Sequence, residues 1–348
     1  MIRKTSKFFK LCLVITVVVF LVWTFSGVFK LWRVIRSEEI AELTGPSTIN
    51  CDYDFMDGIV SVPVEIGTDT LKMVLDNHCQ CMAGEDFLKR KAIPLNFSFC
   101  SRDLGRHKHR RKYYLVNNVK FANSVSNIIF KSNESTMDEN ILGVNFISNY
   151  SWLFYSDSLN AKVSPSISML EVDIDDYITI QNGLGDNGIT LSFADGIDDS
   201  FTFDMGCGDQ MLISEKLFSV FAKQFPYESY RYLAQDYSIS RGYVFNNIEC
   251  KFQDYSFTCS RIVYDTSAPE NNIIGVSFFF NRHFILDFPS DNILFDTAAI
   301  KPQIFNRNEM TDEYGVKFGE RDGENIVVLI KEGSDADIDG VKLGDTSI

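Results

Sequence analysis

The sequence predicts a mainly β protein built from two copies of one lobe, preceded by an apolar helix and followed by a short β-rich tail. Three observations carry this expectation. Short runs rich in β-branched residues recur, such as Ile59–Ile66 and Ile189–Phe193. A set of sequence features appears twice, in the same order and at nearly the same spacing. Helical signals are few, with Glu85 to Arg90 and Ser214 to Gln224 the clearest.

The chain begins with a cationic, apolar leader. Seven basic residues (Arg3, Lys4, Lys7, Lys10, Lys30, Arg33 and Arg36) lie within residues 1–36, and all 47 acidic residues lie beyond them. Between these flanks, Leu11 to Phe29 is an uncharged run. About 20 apolar residues span a bilayer core as a helix, and Trp23 and Trp32 sit where amphipathic rings favour the interface. A cleaved signal peptide has an apolar run of about 7–15 residues and a small-residue cleavage site. Ser26-Gly27-Val28-Phe29 is a poor site, so residues 1–36 read as a membrane anchor. Four basic residues before the run and three after it set a single-pass orientation with the body exported.

The body is acidic, and the whole chain carries a net charge of −14. Such a surface repels phosphate backbones, which excludes nucleic acid as a partner. At 45% hydrophobic and 14% aromatic residues the chain is too apolar to be disordered. Cys250 and Cys259 flank Gln253-Asp254-Tyr255-Ser256 in a strand-turn-strand pattern. They are either a cross-strand disulfide of an exported protein or two buried thiols. His78-Cys79-Gln80-Cys81 has no second ligand pair at zinc spacing, so no metal site is expected.

The duplication is legible residue by residue. A strand ends in aspartate at Lys72-Met73-Val74-Leu75-Asp76 and again at Phe201-Thr202-Phe203-Asp204. About ten residues later each copy begins a short helix. Asn117-Asn118-Val119 and Asn246-Asn247-Ile248 then read as strand starts. Asn140-Ile141-Leu142-Gly143-Val144 and Asn272-Ile273-Ile274-Gly275-Val276 close each copy. Asp76 precedes Gly143 by 67 residues, and Asp204 precedes Gly275 by 71.

This order of features resembles the aspartic peptidases: an apolar strand ending in Asp-Thr/Ser-Gly, a short helix, strands, then Ile-Leu-Gly. The segments Phe146 to Tyr155 and Phe278 to Phe288 are similar to the strand pair that closes each lobe in bacterial retropepsin-like and pepsin-like proteins. The resemblance covers residues 53–296. It implies a two-lobe barrel fold in which Asp76 and Asp204 face each other as a catalytic pair sharing one proton. It also implies a peptide or protein substrate and no cofactor. Both aspartates lie on one chain, so no oligomer is required. Gly206, Gly143 and Gly275 match the family pattern. Asn77, His78 and Met205 depart from it. Asn77 can replace a threonine hydroxyl through its amide, Met205 has no donor, and His78 brings a side chain where the family has glycine. The resemblance therefore admits an active peptidase or a degenerate fold that binds peptides without cutting them.

Between the first helix and the next strand lies Arg102 to Lys112, most of it basic. In the family this region carries the flap that closes over substrate, with Tyr113 or Tyr114 the candidate flap residue. The run reads as a cationic lip for acidic peptides or headgroups, or as a solvated loop. The tail, from Tyr314 to Asp345, resembles a truncated PDZ module of the kind such peptidases carry. In that resemblance Gly315, Val316, Lys317 and Phe318 hold a peptide's terminal carboxylate through backbone N–H groups. The expected organisation is an anchor over 1–36, lobes over 37–165 and 166–296, and a linker with the PDZ-like segment over 297–348.

Overall fold

A computed structural model of the chain describes residues 36–298 and 311–346, apart from 55–57, 103–107, 134–139, 159, 235–236, 267–270 and 322. The expected anchor, Leu11 to Phe29, lies outside the described residues. Among the described residues no helix is long and apolar enough to cross a membrane.

Alternation of buried and exposed residues explains the first lobe. In strand Ile59–Ile66, Val60, Val62, Val64 and Ile66 are buried, and Gly67 takes a positive φ to turn the chain into Asp69–Asp76. The sheet runs Asp52–Asp54, Ile59–Ile66, Asp69–Asp76, Asn140–Gly143, Met82–Gly84, Ser124–Asn133, Lys108–Phe121, Ile93–Arg102. Pairing of Glu65 and Ile66 with Lys120 and Val119 curls it back on itself. Helix Glu85–Lys91 covers one side by burying Leu88.

The second lobe repeats this plan. Its sheet runs Ile189–Phe193, Ile197–Asp204, Ile273–Gly275, Met211–Leu212, Tyr255–Asp265, Ile239–Phe252, Glu228–Leu233. Ser192 and Phe193 pair with Lys251 and Cys250 to close it. Helix Glu215–Gln224 buries Leu217 and Phe221, and its Ser214 cap accepts the Leu217 N–H. The likeness extends to left-handed residues. Asn118 has φ 56° and Asn247 φ 55°, while Ala122 and Gln253 hold the hairpin turns at 52° and 53°. The Asn-Asn pairs are therefore not strand starts as expected. They are interruptions inside the long strands Lys108–Phe121 and Ile239–Phe252: the register shifts between Val116 and Val119, and Asn247 drops out of the pairing with the register unchanged on either side.

A third sheet joins the lobes. Its order is Ser47–Asn50, Asn160–Ser164, Ser151–Tyr155, Phe284–Asp287, Asn292–Asp296, Tyr177–Gln181. The seam is the pairing of Ser151–Tyr155 with Phe284–Asp287, the two segments that follow the Gly-Val motifs. There the buried Ser151 hydroxyl donates to Asp287 Oδ1 at 2.6 Å. Rings fill the space above: Phe154 stacks on Phe284 at 4.8 Å, and Phe279 meets Phe284, Phe295 and Phe257. Burying one such side chain stabilises by about 1.5–3 kcal/mol, so this phenylalanine-rich seam holds the lobes in register.

The C-terminal segment has a small apolar cluster of its own, Val316, Val327, Ile330 and Ala336, and is joined to the second lobe through its strands. Strands Val316–Arg321 and Glu324–Lys331 form a hairpin that adds to the second lobe's sheet, with Tyr230, Arg231 and Tyr232 opposite Lys331, Ile330 and Leu329. Lys331 pairs with Glu228 at 2.6 Å, Arg241 with Glu332 at 3.2 Å, and Arg231 with Asp337. Glu228–Leu233 and Ile239–Phe252 form the second lobe's counterpart of the Ile93–Arg102 and Lys108–Phe121 hairpin, so the tail is fastened to that hairpin.

Candidate active site

Each aspartate ends its strand opposite a glycine. Asp69–Asp76 runs parallel to Asn140–Gly143 with Asp76 beside Gly143, and Ile197–Asp204 runs parallel to Ile273–Gly275 with Asp204 beside Gly275. The loop after each aspartate then crosses over its glycine. Val144 N–H donates to the Cys79 carbonyl at 2.7 Å, and Gly275 N–H to the Gln210 carbonyl at 3.0 Å. A Cβ at Gly143 would strike the Cys79 and Gln80 backbone, and one at Gly275 would strike the carbonyl oxygens of Cys207 and Asp209. Neither glycine has a positive φ, so the requirement is room rather than backbone conformation.

The loops aim the carboxylates at one another. Asp76 Oδ1 accepts the N–H groups of His78 at 2.7 Å and Cys79 at 2.9 Å, and Asp204 Oδ1 accepts the Gly206 N–H at 2.8 Å. A Cβ placed on Gly206 would lie 2.6 Å from Asp76 Oδ2 and 3.3 Å from Asp204 Oδ1, so both carboxylates crowd the same side of Gly206. Burial, and then the charge of Asp204, push Asp76 up to about 6, against the pull of the His78 and Cys79 N–H groups. Burial also raises Asp204, against the charge of His78 and the Gly206 N–H.

The loops are tied together from one side. Asn77 is buried; its Oδ1 accepts the Met205 N–H at 2.7 Å and its Nδ2 donates to the Phe203 carbonyl at 3.0 Å. One amide thus serves a donor and an acceptor of the opposite loop. Met205 itself packs into the core. His78 adds a second strut, with Nε2 2.9 Å from the Phe203 carbonyl. A carbonyl only accepts, so this contact requires a proton on Nε2. The His78 ring stays exposed, which is how the first loop accommodates a side chain at the position where Gly206 has no space. Asn77→Ala orphans the buried Met205 N–H. It is expected to destabilise the protein by about 1–3 kcal/mol, read as a lower midpoint in denaturant unfolding.

The other expected residues divide. Tyr114 is core, only 4% exposed, whereas Tyr113 is half-buried, its ring tilted against Phe97 at 5.3 Å, and lies close to Cys79. In the basic run, Lys112 pairs with Glu85 at 2.7 Å and Arg111 is buried, so neither belongs to a free solvated loop. Cys250 and Cys259 are free thiols with sulfurs 3.7 Å apart, not a disulfide. The register explains this: Cys250 faces Phe257 and Cys259 faces Ile248, a diagonal offset rather than a directly opposed pair. In the tail, Asp312 Oδ1 already accepts the N–H groups of Gly315 at 2.9 Å and Val316 at 3.0 Å. Two of the four residues expected to hold a peptide carboxylate are thus engaged by the chain's own, while Lys317 and Phe318 are exposed.

The sequence reading missed Asn145 and Glu38. Asn145 Oδ1 accepts the Cys81 N–H at 2.8 Å, and its Nδ2 donates to Glu38 Oε1 at 2.6 Å, bracing the Asp76 loop from behind. A polar residue directly after the Gly-Val motif, within an apolar run, was the available signal. The Glu38 carboxylate also accepts the Ile129 N–H, and the Tyr150 hydroxyl holds the Ala41 carbonyl, so the segment after the leader is strapped to the first lobe.

No protein-family model matches the chain, and no curated protein matches it. Solved structures do. The crystal structure of the aspartic proteinase from Irpex lacteus matches with a TM-score of 0.51 at 10% identity, over 76% of this chain and 100% of that chain. The likeness is one of fold: a mainly β, two-lobe aspartic-proteinase architecture.

Proposed function

We propose that this chain is an aspartic endopeptidase of the cell envelope, tethered by Leu11 to Phe29, with Asp76 and Asp204 as its acid/base pair. The observation that carries the proposal is the convergence of both carboxylates on Gly206 at the junction of the two lobes. Two carboxylates this close hold one proton between them. The ionised member takes a proton from water as it attacks the peptide carbonyl. The protonated member donates to the carbonyl oxygen, and the proton gained from water passes to the departing amine. The tail, with its hairpin, Gly-Ser-x-Ala turn and Gly-x-x-x-Gly-Asp end, reads as PDZ-like.

The raised Asp76 sets the expected pH dependence. Its proton is retained below about 6 and lost above, so kcat/KM is expected to fall about tenfold per unit on the alkaline side of that limb. The sign for stability is the same. Folding favours the protonated carboxyl, so this group's contribution is full at acid pH and lost as pH rises through about 6. A pH profile of hydrolysis by the full chain in detergent measures the limb.

A second reading, peptide binding without hydrolysis, draws on His78, whose exposed imidazole stands beside the pair in place of glycine. Incubating the full chain with a peptide library from about pH 3 to pH 8 separates the two. Cleavage products support the peptidase. Peptides bound but intact at every pH overturn it in favour of the second reading.

A further inference from the structure

Strands Lys108–Phe121 and Ser124–Asn133 carry two cations on the face that holds the Asp76 loop. Register sets Tyr113 opposite Lys131, and Arg111, two residues before Tyr113, shares its face. The other face of the same strands presents Tyr114, Val116, Ile128 and Phe130 to the core. Arg111 is only 8% exposed and Lys131 is half-buried. Both stand close enough to Cys79 for their charges to act on its thiol, and the Cys79 N–H donates to Asp76 Oδ1 at 2.9 Å. Tyr113 borders the same thiol, with the Phe97 ring against it.

Among the described residues these cations lack a counter-charge. Arg111 Nη1 donates to Asn133 Oδ1 at 2.9 Å and to the Ser132 carbonyl at 3.3 Å, both neutral. Neither Arg111 nor Lys131 forms an ion pair among the described residues. The neighbouring Lys112, on the opposite face, does find a carboxylate in Glu85. Burying a cation without a partner is unfavourable, and a second cation beside it adds to that cost. Burial and the Arg111 charge together hold the Lys131 ammonium below the usual lysine range, with the nearby Cys79 opposing them. A chain with 47 acidic residues has placed none of those described here against either cation. The unmet charge lies beside the Asp76 loop.

We propose that Arg111 and Lys131, bordered by Tyr113 and Phe97, form a subsite that binds an acidic side chain, Asp or Glu, of the peptide on the first-lobe side of the scissile bond. The proposal rests on the reading of Asp76 and Asp204 as a peptidase pair. A carboxylate entering there supplies the missing charge to a planar guanidinium and an ammonium at once, in a site already shielded from water. The basic run of the sequence thus acts through its buried member, Arg111, together with a lysine from the next strand.

The test uses the full chain in detergent micelles and pairs of peptides that differ only by Glu or Gln at one position around the cleavage point. At one position on the first-lobe side, Glu is expected to raise kcat/KM over Gln by about 10- to 100-fold, the range of a hydrogen bond to a charged group. Lys131→Met is expected to collapse that ratio toward one without lowering the thermal midpoint, since it removes a half-buried charge that has no ion-pair partner among the described residues. Lys131→Arg is expected to keep it. Equal cleavage of Glu and Gln peptides at every position, or a ratio that survives Lys131→Met, overturns the subsite while leaving the peptidase. If no peptide is cut, binding of the same pairs is read by fluorescence polarisation. Tighter binding of the Glu peptide, lost in Lys131→Met, supports the subsite and sinks only the peptidase reading. Equal binding, or none, overturns the subsite.

Discussion

Asp204→Asn is expected to lower kcat for peptide hydrolysis by about 10²- to 10⁴-fold, the contribution of a positioned acid/base group, and so to leave almost none. The amide has the shape of the carboxyl group and can still accept the Gly206 N–H that Asp204 Oδ1 accepts at 2.8 Å. What it lacks is charge, so the pair can no longer hold a single proton against a single negative charge. The substitution also removes one of the two causes that raise Asp76, whose titration is then expected to move down from about 6. Asp76→Asn is expected to cost activity on the same scale, since neither carboxylate can do both halves of the chemistry. The measurement is single-turnover hydrolysis by the purified full chain and both variants, with thermal unfolding to confirm that each is folded. Hydrolysis that survives either substitution would place the reaction elsewhere.

Gly275→Ala is expected to destabilise the protein by about 3 kcal/mol or more and to abolish function with it. The added methyl group meets the carbonyl oxygens of Cys207 and Asp209, which are main-chain atoms of the loop carrying Asp204. A side chain could rotate away; these cannot. Relief requires the loop to lift, which breaks the Gly275 N–H bond to Gln210 and moves Asp204 away from Asp76. Gly143→Ala is expected to do the same through the Cys79 and Gln80 backbone. Gly84→Ala is the control: its φ is −55° and nothing lies within 4 Å of a built Cβ, so it is expected to cost at most about 1 kcal/mol, the loss of a glycine N-cap. Thermal midpoints of the three variants decide the matter.

These glycines show why the site was readable in the sequence. A loop that crosses a strand at van der Waals distance admits one residue type, and a strand that must end in a carboxylate admits two. Such requirements leave fixed letters, and the pairs Asp76 with Gly143 and Asp204 with Gly275 stand out at matched spacing. Where many residues satisfy the physics, the letters mislead. Asn118 and Asn247 sit mid-strand because asparagine tolerates a left-handed turn, which by sequence alone looks like a strand boundary. Arg111 looked like part of a solvated run because only the strand's alternation, seen in three dimensions, turns it inward. The Cys250 and Cys259 offset depends on register across a hairpin, and the docking of the tail onto Glu228–Leu233 depends on pairing about a hundred residues apart in sequence. Neither has a local signature.

That docking bears on how the protein escapes self-association. Without the tail, Glu228–Leu233 would end the second lobe's sheet as a bare row of N–H and C=O groups, an invitation to stray strands from other chains. Because its partner, Glu324–Lys331, is synthesised some ninety residues later, the row stays open on the ribosome until that hairpin has emerged. With the tail docked, the outermost described strand of the sheet is Val316–Arg321, where Lys317, Glu320 and Arg321 stand as gatekeepers. Premature termination before the tail would therefore yield a lobe that is folded in most respects yet prone to aggregate.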